Sequence, residues 1–291
     1  MENLERRMQK TRRLSAAAWG SNMDNRPIGV FDSGFGGLTA MRRLVETMPN
    51  EDLIYLGDTG RVPYGGRSTE TIIKYARQDI EFLLSHNIKA VVVACGTVST
   101  VALEQIAGDY STPIFGVVEP TAWKAARLSR SGKIGVIGTV NSIGSGAYER
   151  AIHRFRPECR VFSAACPLFV PLVENGRVSR GDRVIELVAE EYLAPLKADG
   201  IDTLILGCTH YPLISGVIGD FMGPDVSLVS AGAETAEYVM KKLRQRDALA
   251  EPGRIGGREY YVTDNTEGFS RLASFFMGGD IGGRVSRIEL L

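Results

Sequence analysis

The sequence has few of the features that would define its class directly. It contains 4 Cys in 291 residues, and its 34 Lys plus Arg are balanced by 34 Asp plus Glu, so there is no formal net charge. So few cysteines in a chain of this length exclude a disulfide scaffold and are typical of a reducing compartment. Zero net charge gives no electrostatic basis for binding nucleic acid or an anionic membrane.

Long apolar runs are also missing. The longest, Ala90–Cys95, is far below the roughly 20 residues that a membrane-spanning helix requires, so we expect no membrane segment. Residues 1–25 form a weakly basic tail, in which the apolar stretch Ala16–Trp19 is too short for a secretory signal. We therefore expect a cytoplasmic protein. Two interpretations of the tail stay open: a frayed or partly helical extension, and a regulatory or oligomer-contacting segment.

From Pro27 onward, short β-branched runs alternate with longer amphipathic stretches. Strands are predicted at Ile28–Phe31, Leu53–Leu56, Ala90–Ala94, Ile114–Val117, Ile134–Ile137, Val161–Ser163, Thr203–Leu206, Ser227–Val229 and Tyr260–Val262. Helices are predicted at Leu38–Met48, Thr69–His86, Ser99–Ala107, Thr121–Leu128, Gly146–Phe155, Arg183–Leu196, Glu234–Arg246 and Glu267–Phe276. Strands that are apolar on both faces and separated by helices indicate mainly parallel sheets in a doubly wound α/β fold.

Two features indicate where the chain divides into domains. The strand count begins again after Glu119–Pro120, and a second seam falls near Ser230–Gly232. The prediction is a first α/β domain of residues 26–119 plus 231–291 and a second α/β domain of residues 120–230, with a cleft between them. Val91–Thr97 and Leu204–Thr209 both lead from an apolar strand to Cys and Thr, which either duplication or chance explains.

Two of the four cysteines are candidates for chemistry. Cys95 and Cys208 follow strands and precede helix or turn patterns, where the amides of a helix N-terminus stabilise a thiolate. Asp32, at the end of another strand, and His210 are possible proton partners of these thiols. Cys159 and Cys166 lack such neighbours and are interpreted as buried filler; their spacing fits no common zinc pattern, so we expect no metal.

A Gly-rich turn over Phe31–Gly37 links a strand to a helix and offers backbone amides to an anion. It is not a dinucleotide fingerprint, because Thr39 stands where the third Gly belongs, and no P-loop is present. The carboxylate of Asp32 disfavours polyphosphate and favours a small zwitterion, whose carboxylate Ser33 could hold. The alternative is a turn rich in Gly for tight packing.

Other polar residues follow strands, where small hydroxyls and free amides are well placed to hold a carboxylate, although each residue alone is also typical of turns and caps. They are Asp58, Thr59, Pro63–Gly65, Thr139 and Ser142. Glu174 is either a solvated carboxylate or an acid at the edge of the site. Two thiols facing each other, with no cofactor fingerprint, suit inversion at a carbon that bears an acidic proton. One thiol removes the proton and the other returns it on the opposite face.

The motifs PIGVFDSGFGGLTA, YLGDTGRVPYG, VVVACGT, GVIGT, FVPLVE and LILGCTHYPL, in this order, closely resemble the glutamate racemases of bacterial cell-wall synthesis. The resemblance implies cofactor-independent interconversion of L- and D-glutamate between two α/β domains of a cytoplasmic homodimer, supplying D-glutamate for peptidoglycan. By position, Cys95 resembles the thiol that deprotonates D-glutamate and Cys208 the one that acts on L-glutamate, assisted by Asp32 and His210. The substrate-contact positions fall on Ser33, Pro63, Tyr64, Gly65, Gly96, Thr97, Thr139, Ser142, Glu174 and Thr209.

Two positions depart from the family pattern. Gly96 stands where Asn is the commonest residue, which removes a side-chain amide, and Ser142 stands where Thr is common. If the amide is simply missing, Gly96→Asn should lower KM, since one hydrogen bond is worth about 0.5–1.5 kcal/mol. If the pocket has been reshaped around Gly, the larger side chain should clash.

Two rival functions remain. One is a racemase of the same superfamily acting on aspartate or a hydantoin, and the other is a binding or inhibitory protein, of the kind suggested by glutamate racemases that contact DNA gyrase. Exchange of the α-proton with solvent deuterium separates an enzyme from a binder.

Overall fold

The computed structural model describes residues 23–290, whose strands form two sheets. In chain order the strands are β1 (Ile28–Asp32), β2 (Leu53–Gly57), β3 (Ala90–Val93), β4 (Ile114–Gly116), β5 (Lys133–Gly138), β6 (Arg160–Ala165), β7 (Thr203–Leu206), β8 (Ser227–Ser230), β9 (Arg258–Val262) and β10 (Arg284–Arg287). Among these residues the first sheet has the order β10-β9-β2-β1-β3-β4 and the second the order β6-β5-β7-β8. Neighbouring strands pair in parallel, which confirms the predicted α/β class.

Helices connect the strands. They are α1 (Leu38–Thr47), α2 (Thr69–Leu84), α3 (Gly96–Val101), α4 (Leu103–Ile106), α5 (Val118–Leu128), α6 (Val140–Gly144), α7 (Ala147–Phe155), α8 (Phe169–Glu174), α9 (Arg183–Ala198), α10 (Ser215–Met222), α11 (Ala231–Gln245) and α12 (Thr266–Met277). Ser68, Asp182 and Asn265 begin α2, α9 and α12 by accepting hydrogen bonds from backbone N–H groups of the first turn. Within residues 23–290, no helix has both the length and the apolar character needed to cross a bilayer.

The central strands are buried along their whole length. Every residue of β1, β2, β3 and β7 is buried, because apolar helix faces cover both sides of each sheet. The chain leaves the first sheet through α5 and returns through α11, and these two helices pack against each other. The carboxyl ends of β1, β3, β5 and β7 therefore carry loops that meet in one cleft.

Several elements differ from the prediction. The helix expected over Ser99–Ala107 begins at Gly96, directly after Cys95, and is divided at Ala102 into α3 and α4. Strand β10 was missed because its sequence, RVSR, is polar and lies at the edge of the sheet. Helix α8 was missed because six residues containing Pro171 are too few to show a helical period. Residues 1–22 of the predicted tail lie outside the described residues.

Candidate active site

A cavity of about 450 Å³ lies between the strand-end loops of the two sheets. Loops of the first sheet supply one wall and loops of the second supply the other. Most of the predicted site residues line it: Ser33, Pro63, Tyr64, Gly65, Cys95, Gly96, Thr97, Thr139, Glu174, Cys208, Thr209 and His210. The two candidate thiols are 113 positions apart in the sequence, and the structure brings both to the same cavity.

Cys95 occupies the N-cap position of α3 at the end of β3. Its thiol is buried and donates a hydrogen bond to Ser33 Oγ at 3.4 Å. Burial, and secondly the negative charge of Asp32, raise the pKa of Cys95 to about 12, although hydrogen bonding with Ser33 and with the Val98 amide opposes this. In the free protein, Cys95 therefore carries its proton at neutral pH.

Asp32 ends β1 and lies behind the cavity wall. Its Oδ2 accepts a hydrogen bond from the Gly34 amide at 3.0 Å. Its Oδ1 is buried and has no hydrogen-bond partner among residues 23–290. Burial raises the pKa of Asp32, while the positive charge of His210 and the Gly37 and Gly34 amides oppose the increase. A buried carboxyl oxygen without a partner is costly, so this position is suited to receive a cationic group.

Cys208, His210 and Glu174 form a chain of contacts on the opposite side. Cys208 Sγ lies 3.8 Å from His210 Nδ1, and His210 Nε2 lies 2.9 Å from Glu174 Oε1. Burial lowers the pKa of His210, but its hydrogen bonds with Cys208 and Glu174 outweigh burial and raise the pKa to about 10. The imidazole is therefore positively charged at neutral pH and places a cation beside Cys208 Sγ.

Hydroxyl groups of both sheets meet at one end of the cavity. Thr97 Oγ1 lies 3.0 Å from Thr139 Oγ1, which bridges the two sheets. Thr139 also accepts a hydrogen bond from the Ser142 amide at 3.2 Å and so begins α6. Ser142 Oγ accepts hydrogen bonds from Thr139 and Thr100 at 3.0 and 3.3 Å. Ser142 was expected to contact substrate, but the structure places it behind Thr139, away from the cavity lining.

Tyr64 connects the cavity wall to a buried polar cluster. Its hydroxyl donates to Asp58 Oδ2 and lies 3.2 Å from Asp79 Oδ2. Arg61 donates to Asp58 at 2.6 Å and to Asp79 at 3.1 Å. Burial, and then the negative charge of Asp58, raise the pKa of Asp79 well above its usual value. Since one phenolic proton cannot serve two carboxylates, a protonated Asp79 that donates to Tyr64 satisfies the cluster.

Asp79→Asn tests this protonation state. The side-chain amide can donate to Tyr64 and accept from Arg61, as protonated Asp79 does, so the free energy of unfolding at neutral pH should change by no more than about 1.5 kcal/mol. The raised folded-state pKa makes the parent protein lose stability as pH rises above the unfolded value of 3.8, and Asn should remove this decline. Urea unfolding at pH 4.5 and 7.5 measures both effects.

Asp58→Asn is the matched comparison, because it removes the anionic partner of Arg61 and should cost about 3–5 kcal/mol. A loss of that size for Asp79→Asn would show that Asp79 is ionised in the folded protein.

Comparison with known proteins identifies the family. A sequence profile of the Asp/Glu/hydantoin racemases matches residues 28–239. The chain belongs to this family. It is 47% identical over 255 residues to a glutamate racemase of Geobacter metallireducens, covering 88% of this chain and 94% of the relative.

Two crystal structures of glutamate racemases are similar in fold. One, from Bacillus anthracis, has a TM-score of 0.87 at 36% identity and covers 92% of this chain and 98% of its own. Another, from Francisella tularensis in complex with D-glutamate, has a TM-score of 0.84 at 36% identity and covers 92% of this chain and 99% of its own. The two-domain α/β fold of this racemase family is therefore the fold of this chain.

Several residues that line the cavity were not predicted from the sequence. They are Gly34, Val62, Gly66, Val140, Cys166, Pro167, Val170, Pro171 and Gly207. Most are small or apolar and carry no pattern that indicates a site. Cys166 is buried, as expected, but it also lines the cavity, where burial and then Cys208 raise its pKa to about 12. Its position directly after β6, at the same sheet edge as Cys208, could have revealed this placement.

Gly96 is tightly enclosed. A Cβ atom at this position would overlap the carbonyl oxygen of Gly207 and lie 3.4 Å from the carbonyl carbon. The obstacle is backbone, which cannot rotate away. The expectation that Gly96→Asn restores a missing contact is therefore wrong on steric grounds, and the reshaped pocket is the interpretation that fits.

Proposed function

We propose that this protein interconverts L- and D-glutamate without a cofactor, using Cys95 and Cys208 as the two proton-transfer groups. The observation that carries the proposal is that both thiols line one cavity from different sheets, each with its own ionisable neighbour. The similarity to glutamate racemases over most of the chain supports glutamate as substrate.

In the direction from L- to D-glutamate, the Cys208 thiolate takes the α-proton. The Cα–H bond breaks, and its electron pair delocalises into the α-carboxylate. The Cys95 thiol then delivers a proton to the opposite face of the same carbon, and a new C–H bond forms. One proton is removed and one is added, so Cys208 ends as a thiol, Cys95 as a thiolate, and the protein is ready for the reverse reaction.

The charges around the two thiols favour this starting state. Cys95, with a pKa of about 12, holds its proton, while the positive His210 ring lies beside Cys208. Binding of D-glutamate needs the opposite state. The substrate ammonium, placed beside the unpaired Oδ1 of Asp32, would offset the negative charge that opposes ionisation of Cys95. Ser33, Thr97, Thr139 and Thr209 are proposed to bind the two carboxylates by their hydroxyl or amide groups.

Hydrogen exchange identifies the substrate. In deuterium oxide, the protein should exchange the α-proton of L-glutamate and form D-glutamate, and it should leave L-aspartate and a hydantoin largely unchanged. Faster exchange with L-aspartate would assign the protein to the aspartate branch, and exchange with none of them would favour a binding role.

Activity should survive removal of metals and cofactors, because the thiols and their neighbours supply the acid and base that the inversion needs. Exhaustive dialysis against a chelator should leave the racemisation rate unchanged, and added pyridoxal phosphate should not increase it. Polarimetry of L-glutamate before and after dialysis measures this. A rate that falls on dialysis and recovers with an added metal or cofactor contradicts the two-thiol mechanism.

We further propose the domain organisation, the oligomeric state and the cellular role of the protein. Residues 26–119 plus 231–291 and residues 120–230 form two domains that close on the substrate, and the protein is a cytoplasmic homodimer whose product, D-glutamate, is used for peptidoglycan. Complementation of a bacterial strain that requires D-glutamate tests the cellular role, and light scattering tests the oligomeric state.

A further inference from the structure

A close approach to backbone atoms between the loops of the two sheets joins the residues next to the two thiols. Gly96 follows Cys95, Gly207 precedes Cys208, and a Cβ on residue 96 would overlap the Gly207 carbonyl oxygen and lie 3.8 Å from Cys208 Cα. Gly96 is the first residue of α3, a right-handed helical position that any residue can adopt. Space, and not backbone conformation, therefore requires glycine here.

Two other glycines of the first-sheet loops lie against second-sheet residues that line the cavity. A Cβ on Gly36 would overlap Thr209 Oγ1 and lie 2.5 Å from His210 Nδ1, and a Cβ on Gly65 would lie 3.1 Å from Thr139 Cβ. The neighbours of Gly36 are outer side-chain atoms, which can move by rotation, and the contact at Gly65 needs a shift of only a few tenths of an ångström. The contact of Gly96 differs, because its neighbour is a backbone carbonyl at the end of a buried parallel strand.

We propose that Gly96 is a positioning residue that sets the separation between Cys95 and Cys208 through its contact with the Gly207 backbone. This inference rests on the proposed function. A methyl group at residue 96 forces the two backbones apart by roughly 1 Å before its atoms reach van der Waals distance. The two thiols, which are attached to the adjoining residues, move apart with them. Proton transfer from both faces of one carbon depends on that distance.

Gly96→Ala should lower kcat by about 10²-fold, the loss typical of a 1 Å misplacement of reacting groups. KM should change less, because the substituent points at Gly207 and not into the space that substrate occupies. Gly108→Ala is the matched control: Gly108 lies in the short helical turn that follows α4, and its Cβ would meet nothing within 4 Å. It should retain the parent kcat. Thermal unfolding of both variants shows whether they are folded.

Cross-linking measures the thiol separation independently of activity. Bifunctional thiol reagents of increasing spacer length are applied, and the linked peptides are identified by mass spectrometry. The parent protein should join Cys95 to Cys208 best with a short spacer, and Gly96→Ala should shift the optimum to a longer one. The parent protein provides the spacer result even if Gly96→Ala does not fold.

The outcomes separate this inference from the proposed function. A parent protein that does not racemise glutamate contradicts the proposed function, while its spacer optimum still reports the separation. In an active protein, a kcat for folded Gly96→Ala within twofold of the parent overturns the inference. An unchanged spacer optimum in that variant, or a parent protein that only long spacers cross-link, overturns it as well.

Discussion

Cys95→Ser and Cys208→Ser should each lower the rate of racemisation by about 10⁴-fold, the upper end of what a positioned acid or base contributes. A serine hydroxyl is a far weaker acid than a thiol, so it cannot supply the anionic base at neutral pH. The two residues line the same cavity but belong to loops of different sheets, so loss of one leaves the other in place. Polarimetry with each enantiomer measures the loss.

The single variants also distinguish the two faces of the substrate. In deuterium oxide, Cys95→Ser should still exchange the α-proton of L-glutamate through Cys208, without forming D-glutamate. Cys208→Ser should show the mirror-image behaviour with D-glutamate. Cys159→Ser is the control, because this buried thiol packs among core residues and lies outside the cavity lining. Near-parental turnover after either active-site change would remove that cysteine from the mechanism, and exchange of the same enantiomer by both would contradict the assignment of faces.

His210→Asn should lower turnover of L-glutamate by about 10²–10⁴-fold, and Asp32→Asn should do the same for D-glutamate. His210 contacts Cys208 at 3.8 Å and Glu174 at 2.9 Å, so Asn removes the positive charge that this pair sustains. Asp32 provides the unpaired buried oxygen that we assign to the substrate ammonium. His153→Asn is the control, because His153 Nε2 lies 3.0 Å from the Cys159 carbonyl oxygen and the residue lies outside the cavity lining.

The equilibrium constant of the reaction limits which kinetic parameters these variants can change. A catalyst leaves the ratio of kcat/KM in the two directions unchanged, so an asymmetric role appears only in the separate kcat and KM values or in isotope effects. The α-deuterium isotope effect should therefore change for L-glutamate in His210→Asn and for D-glutamate in Asp32→Asn. Equal isotope effects for both enantiomers in both variants would assign these residues to substrate binding or structure.

The same histidine links stability to pH. Its folded-state pKa of about 10 is above the usual value of 6.5. Its contribution to the free energy of unfolding is therefore fully present below pH 6.5 and is lost as pH rises through about 10. His210→Asn should remove this part of the pH dependence, which urea unfolding between pH 6 and 10 measures.

The local sequence predicted much of the fold because parallel strands covered on both faces are apolar at every position. Strands β1, β3 and β7 could be located within one residue on this basis. The polar edge strand β10 could not, since its pairing with β9 is decided by contacts distant in sequence. The candidate thiols were recognisable because each follows such a strand, and chemistry in an open α/β sheet gathers at strand ends.

The sequence by itself determined which residue types stand at the strand ends: two thiols, an aspartate, a histidine and a row of small hydroxyl groups. Only the tertiary structure decided how they are used. It placed Ser142 behind Thr139, brought Cys166 into the cavity, and set the backbone of Gly207 against Gly96. The physical reason is that side-chain types follow from local chemistry, whereas available space depends on two sheets whose contacting residues lie far apart in the chain.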